Sequence, residues 1–376
     1  MIYGKKTYGI FALINKVQLT ISLQNTKGRF LRMKALVLHK PNAPKEVLPT
    51  LKPSSLLTLE EIERPSPKPD EVLIRVHAAA LNRRDVWICA GKYSKIQYPA
   101  VLGSDGCGIV VEVGSPDHSH WIGKEVVFNP SINWGDNPKA QGRDYQILGM
   151  PSQGTLAEYI TLRVHNIALT PTHLTHEQAA AFPLAFLTAY RAVITQANVL
   201  AGDTVLITGI GGGVALACFQ ITQAIGAHVY VTTGSDDKLL RAAELGAKGG
   251  ANYHTSDWDS ILQFASGGFD TIIDSAGGSD FNKLMGIAKP GGTIVSYGAT
   301  MGTVPEFNLH RLFWKQLRII GATMGTDEDF TKMIEFVELH KIIPVIDSVF
   351  SFEEAGAAFD KMNESGQFGK IVVKIG

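Results

Sequence analysis

The sequence predicts an α/β protein in which a β-rich part precedes a doubly wound parallel sheet. Three observations carry this. Short apolar strands and turns fill residues 33–166. From about Thr175 helices and strands alternate, each pair having the length of a βα unit. That is the pattern of a parallel sheet covered on both faces. Within the alternation, residues 208–217 read TGIGGGVALA, with a strand-like run before and a helix-like run after.

The elements follow in order. Residues 1–32 contain Lys5, Lys6, Lys16, Lys27, Arg29 and Arg32, and the first acid of the chain is Glu46. A basic, acid-free leader fits a mitochondrial presequence, although it is poor in Ser and Arg. It fits equally an extension ahead of a start at Met33. Strand-like sequence (KALVLH) begins there. Pro65–Pro69 (PSPKP) is a connection that cannot be helical. Glu71–Ala80 alternates and then becomes continuously apolar, and Gly108–Val113 and Glu125–Phe128 are further strands. Asn129–Gly154, rich in Gly, Pro, Asn and Asp, reads as a long surface loop outside the core.

Thr175, Glu177 and Gln178 form an N-terminal helix signal. Then come strand TVLIT, helix ALACFQITQAIGA, strand HVYVTT, helix DDKLLRAAELGA, strand FDTIIDSA, helix FNKLMGIA and strand GTIVSYG. The last stretch returns to mixed structure and ends on strand Lys370–Ile375.

Composition narrows the function. The chain has 376 residues, of which 45% are apolar and 19% charged, so a sizeable core forms. Lys+Arg and Asp+Glu are 35 each, a balance that argues against nucleic-acid binding by phosphate neutralisation. No apolar run reaches bilayer length, which predicts a soluble, non-membrane protein. Cys89, Cys107 and Cys218 lie far apart and suggest neither disulfides nor a cysteine-rich zinc site. No GxSxG or HExxH motif points to hydrolysis.

Strand, glycine-rich turn and helix occur in the order a dinucleotide needs. Glycines let the backbone approach a pyrophosphate, and the helix N-terminus offers free N–H groups to it. Strict GxGxxG fails at Val214, whereas Gly209, Gly212 and Ala215 supply small residues in an alternative register. An NAD site wants an acid at the tip of the second strand. Here that strand ends Thr232-Thr233-Gly234-Ser235, and Asp236 and Asp237 read as helix-start acids. Ser235, Lys238 and Arg241 could meet a 2′-phosphate, which favours NADPH.

Leu81–Asp85 (LNRRD), Gly103–Gly114, Gly154–Tyr159, Ala181–Tyr190, the glycine turn, Pro290–Gly298 and Gly369–Val373 together carry a resemblance. From Met33 to Gly376 the chain resembles the medium-chain dehydrogenase/reductase superfamily, in its zinc-independent, quinone oxidoreductase-like branch. The resemblance implies a GroES-like β-rich domain over 33–170 and 322–376, a Rossmann domain over 171–321, and an active site in the cleft between them. It also implies a homodimer through the Rossmann-sheet edge near Thr293–Val304. The compartment expected is the cytoplasm, or the mitochondrial matrix if residues 1–32 are a presequence.

Zinc-dependent relatives hold their catalytic metal through Cys, His and usually a second Cys, with a Glu after the His. This chain has Asn82, Ser104 with Asp105, and Leu184 at those places. None of Asn82, Ser104 and Leu184 is a zinc ligand, so no metal is expected there. His118 with His120, and His173 with His176, read as loop histidines, and Cys107 as a buried small hydrophobe.

Without a metal, a quinone or α,β-unsaturated carbonyl must be polarised by hydrogen bonds or a general acid. The expected catalytic groups are Asn82, which can donate an amide N–H, and two residues whose roles the resemblance implies, Tyr93 as proton donor and Trp87 as an aromatic wall. The resemblance places Thr188 near the nicotinamide and Gly209, Gly212, Gly213 and Val214 at the pyrophosphate. It places Tyr253 by the adenosine phosphate, Ser275 and Gly298 along the cofactor, and Gly369 and Lys370 as a return contact from the tail. Asp85 reads as a backbone-fixing residue. Three further readings stand beside quinone or enone reduction: a mitochondrial enoyl thioester reductase, a non-catalytic NADPH-binding protein, and an alcohol dehydrogenase with unusual zinc ligands.

Overall fold

A computed structural model describes residues 32–376, so the basic leader lies outside the described residues. Strand Arg32–Leu38 pairs antiparallel with Leu57–Glu63 and with Ala100–Val101. A second sheet runs Ile167–Leu169, Glu125–Phe128, Asp105–Val113, Glu71–Ala80, Lys370–Lys374 and Ile346–Phe350, with Tyr159–Arg163 also on Glu71–Ala80.

Glu71–Ala80 is the axis of that sheet. Asp105–Val113 lies along one side, and the other side is shared by Tyr159–Arg163 and Lys370–Lys374. Its continuously apolar end has a physical reason. Ala78 and Ala80 pack into a core shared with the helices of the second half, and Ala79 into the core of the β-rich part. Both faces are covered there, so period-two alternation disappears.

The second half is a six-stranded parallel sheet in the order Gly249–Asn252, His228–Thr233, Thr204–Ile207, Phe269–Asp274, Ala288–Ser296, Arg318–Gly321. Counted from Thr204 this is 3-2-1-4-5-6, and the order of strand succession reverses between the first and fourth strands. Val205 and Ile207 face one core, and Leu206 faces the other. Helices cover both faces, including Gly213–Ile225 on one and Trp258–Ser266 on the other. The helix signal at Thr175 is a reciprocal cap: Gln178 N donates to Thr175 Oγ1, and Thr175 N donates to Gln178 Oε1.

Three expectations need correction. The third parallel strand, GGAN, has no apolar signature because its glycines are packing requirements. A β-carbon at Gly249 would stand 2.9 Å from the Tyr230 ring, and one at Gly250 2.8 Å from Leu239. The strand Ala288–Ser296, which holds Thr293, is internal and pairs on both sides, so the sheet edge on that side is Arg318–Gly321. Residues 129–154 are not merely surface. Trp134, Leu148 and Met150 are buried there, and the Arg191 guanidinium lies over the Trp134 ring at 4.7 Å. Among the described residues, no helix is long and apolar enough to cross a membrane.

Candidate active site

The glycine turn joins strand Thr204–Ile207 to helix Gly213–Ile225. Gly209 and Gly211 take φ of +68° and +120°, a region that L side chains avoid. A β-carbon at Gly212 would meet nothing nearer than 3.8 Å, so that face of the turn is open. Beside it, at the carboxyl ends of the strands, lies a cavity of about 170 Å³ that includes Thr208, Gly209, Tyr253, Asp274 and Ser275. Open glycine backbone, a helix N-terminus and an adjoining crevice at the topological switch point fit a dinucleotide.

Asp274 holds this crevice in shape. Its carboxylate accepts from Thr208 Oγ1 and from the N–H groups of Ala276 and Gly277. Burial raises its pKa against those bonds. Ser275 N donates to Thr208 Oγ1, and Ser275 Oγ stands 3.2 Å from where a Gly209 β-carbon would be. Gly298 lets its strand approach closely: a β-carbon there would lie 2.8 Å from Ser275 O.

The tail closes the other side of the turn. Gly369 N donates to Gly211 O at 3.1 Å. Gly369 itself has φ +128°, and a β-carbon there would meet Val345 O at 2.6 Å. The Lys370 side chain passes so near Gly213 that a β-carbon would sit 2.8 Å from its Cδ. Lys238 packs over Gly211, and burial lowers its pKa. Tyr253 lies across Gly234, beside Ser235 at the start of helix Asp236–Glu244. Arg241 is engaged elsewhere, its guanidinium 4.2 Å from the centre of the Phe368 ring. Thr188 donates to Leu184 O within its helix and lies beside Met324. Val214 packs against the core.

Lys370 ends in a polar cluster. Its Nζ donates to Asn82 Oδ1 and to Asp105 Oδ2, both at 2.7 Å. Asn82 Nδ2 donates to the same Asp105 oxygen at 2.9 Å. The other Asp105 oxygen accepts Leu184 N at 2.6 Å. Asp105 and Lys370 are 0% and 4% exposed, so the pair is desolvated. Asp85 accepts Asn82 N, which fixes the start of helix Arg83–Cys89. Its pKa is raised by burial.

Arg84 forms a second buried node. It donates to Ser104 Oγ, to Leu148 O and, at 3.4 Å, to Tyr93 Oη. Its guanidinium lies 5.0 Å from the centre of the Tyr93 ring. Trp87, on the same helix, is 41% exposed, so it is not a packed core aromatic.

The donor set does not fit a catalytic zinc. Asn82, Ser104 and Leu184 bring no thiolate or imidazole. The polar atoms at these positions are bound to one another and to two cationic side chains, Lys370 and Arg84.

Part of the predicted set forms a connected path: Asn82 to Lys370, Lys370 to Gly213, the turn to Gly209, Gly209 to Ser275, Ser275 to Gly298, whereas Tyr93, Trp87, Thr188, Ser235 and Tyr253 lie off it. Sequence reasoning did not assign a site role to Asp105, Arg84 or Asp274. Asp105 stood in view inside Gly103–Gly114, but its partners come from three distant segments. Arg84, in LNRRD, gains its partners only when Leu148 and Met150 are folded against it.

Comparison with known proteins agrees with this architecture. Residues 68–172 match the alcohol dehydrogenase GroES-like domain family, and residues 213–338 match the zinc-binding dehydrogenase family. A zinc-type alcohol dehydrogenase-like protein of Leptosphaeria maculans is 36% identical over 85% of this chain and 94% of its own. The quinone oxidoreductase of Homo sapiens is 30% identical over 85% of this chain and 94% of its own. The crystal structure of an NAD-dependent alcohol dehydrogenase superposes with a TM-score of 0.82 at 35% identity, covering 92% of this chain and all (100%) of that one.

Proposed function

The chain belongs to the medium-chain dehydrogenase/reductase superfamily, and on that premise we propose that it is an NADPH-dependent reductase of quinones or α,β-unsaturated carbonyls that works without zinc. The observation that carries this is the pair of buried cations, Lys370 and Arg84, bonded to the residues at the metal-ligand positions of zinc-dependent relatives.

A bound NADPH supplies hydride. Gly209, Gly212, Gly213 and Val214 would hold its pyrophosphate against the helix N-terminus. Lys238 lies against Gly211 of the turn and Tyr253 against Gly234, and with Ser235 they would suit a 2′-phosphate. Ser275, Gly298 and Thr188 would line the way to the reacting end, with Gly369 and Lys370 closing over the turn.

The remaining chemistry belongs to this chain. Tyr93 accepts from the Arg84 cation, which leaves its own proton free to donate to a developing oxyanion. Asn82 spends one Nδ2 proton on Asp105 and keeps the second for the substrate oxygen. Lys370 and Asp105 hold that amide in orientation from both ends. Trp87 would flank a planar acceptor. We assign 33–170 with 322–376 to the GroES-like domain and 171–321 to the Rossmann domain, supported by the pairing of Lys370–Lys374 with Glu71–Ala80. The small-molecule site would be presented by a homodimer.

The test is NADPH oxidation followed by absorbance with a panel of quinones, alkenals and enoyl thioesters, repeated with NADH. Turnover of quinones or alkenals with preference for NADPH is expected. Tight NADPH binding without turnover of any acceptor would favour a pure binding role. Turnover confined to enoyl thioesters would move the assignment there. Alcohol oxidation abolished by a chelator would overturn the zinc-free mechanism.

A further inference from the structure

Outside the cleft, three side chains that could ligate a metal meet at one point. His77 comes from strand Glu71–Ala80, Glu125 from strand Glu125–Phe128, and His176 from the start of helix His176–Ala181. Their ligand atoms all lie within 4.8 Å of one another. His77 Nε2 is 3.3 Å from Glu125 Oε2, and His176 Nε2 is 3.6 Å from that same oxygen. His173, the sequence neighbour that first suggested a pair with His176, turns away towards Glu338 and Ile342 O.

His77 Nε2 and Glu125 Oε2 face each other without an aligned hydrogen bond. The His77 side chain is only 12% exposed, whereas that of Glu125 is 43% exposed. The two imidazoles stack at 4.1 Å between centroids and 9° between planes, with both Nε2 atoms near one carboxylate oxygen. One proton would serve only one of the two nitrogens. Their in-plane lone pairs run parallel in the stack, so one divalent cation takes all three atoms once the half-exposed His176 ring turns towards it.

The spacing suits a particular class of ion. A tetrahedral zinc with bonds of about 2.1 Å separates its ligand atoms by about 3.4 Å. The two nitrogen–oxygen distances bracket that value. Two imidazoles with one carboxylate are borderline ligands, matched to Zn²⁺ and its neighbours and not to Mg²⁺ or Ca²⁺. The His176 side chain is 50% exposed, which leaves a route for the ion and room for water. The supports are rigid. Cys107 Sγ donates to His176 O, and Ile375 N donates to His77 O.

We propose that His77, Glu125 and His176 form a structural binding site for a divalent transition-metal ion of the zinc class, with water completing the coordination. The ion clamps two strands of the β-rich part to the helix that leads into Pro183–Tyr190, and so to Leu184 and Thr188 at the cleft. This site shares no residue with the proposed catalytic groups and does not depend on the reductase reading.

The test uses the full chain, stripped with chelator and titrated with Zn²⁺ alone by calorimetry, with no cofactor or substrate present. One ion per chain is expected, with a rise in thermal midpoint that follows zinc concentration. His176→Ala and Glu125→Gln should each weaken binding at least tenfold, about 1.4 kcal/mol. Their zinc-free midpoints should match zinc-free wild type, and should either variant fail to fold, the other carries the comparison. Absence of saturable binding would overturn the proposal, as would unchanged affinity in both variants. A midpoint that responds to pH but not to zinc would show that a proton is the only occupant, and would overturn it too.

Discussion

At the scale of single residues, the Lys370–Asp105–Asn82 cluster makes the sharpest demand. Removing one partner of a buried ion pair leaves an uncompensated charge, at a cost of about 3–5 kcal/mol. Lys370→Met strands Asp105, which is 0% exposed. A fall of that size in unfolding free energy from urea titration is expected, and the double variant with Asp105→Asn should recover most of it. A loss below about 1 kcal/mol would mean the pair is not desolvated as described. Tyr93→Phe tests a different role. It removes only the hydroxyl, so stability should hold while kcat falls by about 10²-fold, the lower range for general acid catalysis. Unchanged kcat would remove Tyr93 from the mechanism. Legibility at this scale followed locality. Glycines of the turn, Asn82 and Lys370 announce themselves within short segments, whereas Asp105 and Arg84 acquire meaning only from distant partners. His77, Glu125 and His176 are the extreme case, separated by about fifty residues at each step.

At the scale of elements, hydrophobic rhythm marked those that bury a continuous apolar face. His228–Thr233 and Glu71–Ala80 lie where alternation and β-branched content place them. The strand Gly249–Asn252 was hidden because steric closeness, and not apolarity, selects its residues. The segment 129–154 was misjudged for the opposite reason, since its polar residues are tied down from far away. Arg191, 2% exposed, donates to Asp329 Oδ2 at 2.7 Å and to Pro138 O. Asp329 also accepts from Thr195 Oγ1 and from Thr326 N, and so caps helix Asp327–His340. One carboxylate therefore joins the loop, the helix Pro183–Tyr190 region and a helix start. Asp329→Ala should cost about 3–5 kcal/mol, because it orphans a buried guanidinium. Proteolysis should then cut first within 129–154 if the network is what orders that segment. A small loss with no new cleavage would show that Trp134 and its neighbours hold the loop unaided.

At the scale of the whole molecule, the β-rich part followed by a parallel sheet was legible because each half repeats one pattern many times. The position of the sheet edge was not. Thr293–Val295 is apolar because strands flank it on both sides, so apolarity pointed away from the edge. The edge strand Arg318–Gly321 leaves one row of N–H and C=O groups without a strand partner among the described residues. An unpaired edge of this kind invites pairing with another chain. The neighbouring helix Leu309–Trp314 exposes Leu309, Phe313 and Trp314 at 65%, 62% and 74%. Ile319 on the edge itself is 37% exposed. A second copy related by a twofold axis would present the same edge and the same apolar side chains, which makes the contact self-complementary. Sedimentation velocity should therefore show a dimer. Ile319→Lys combined with Trp314→Lys should shift it to monomer, by crowding four like charges into the contact. Binding of NADPH at the proposed site should survive that change, because none of the proposed cofactor residues lies on the edge. A monomeric wild type, or a dimer indifferent to both substitutions, would place the interface elsewhere or remove it.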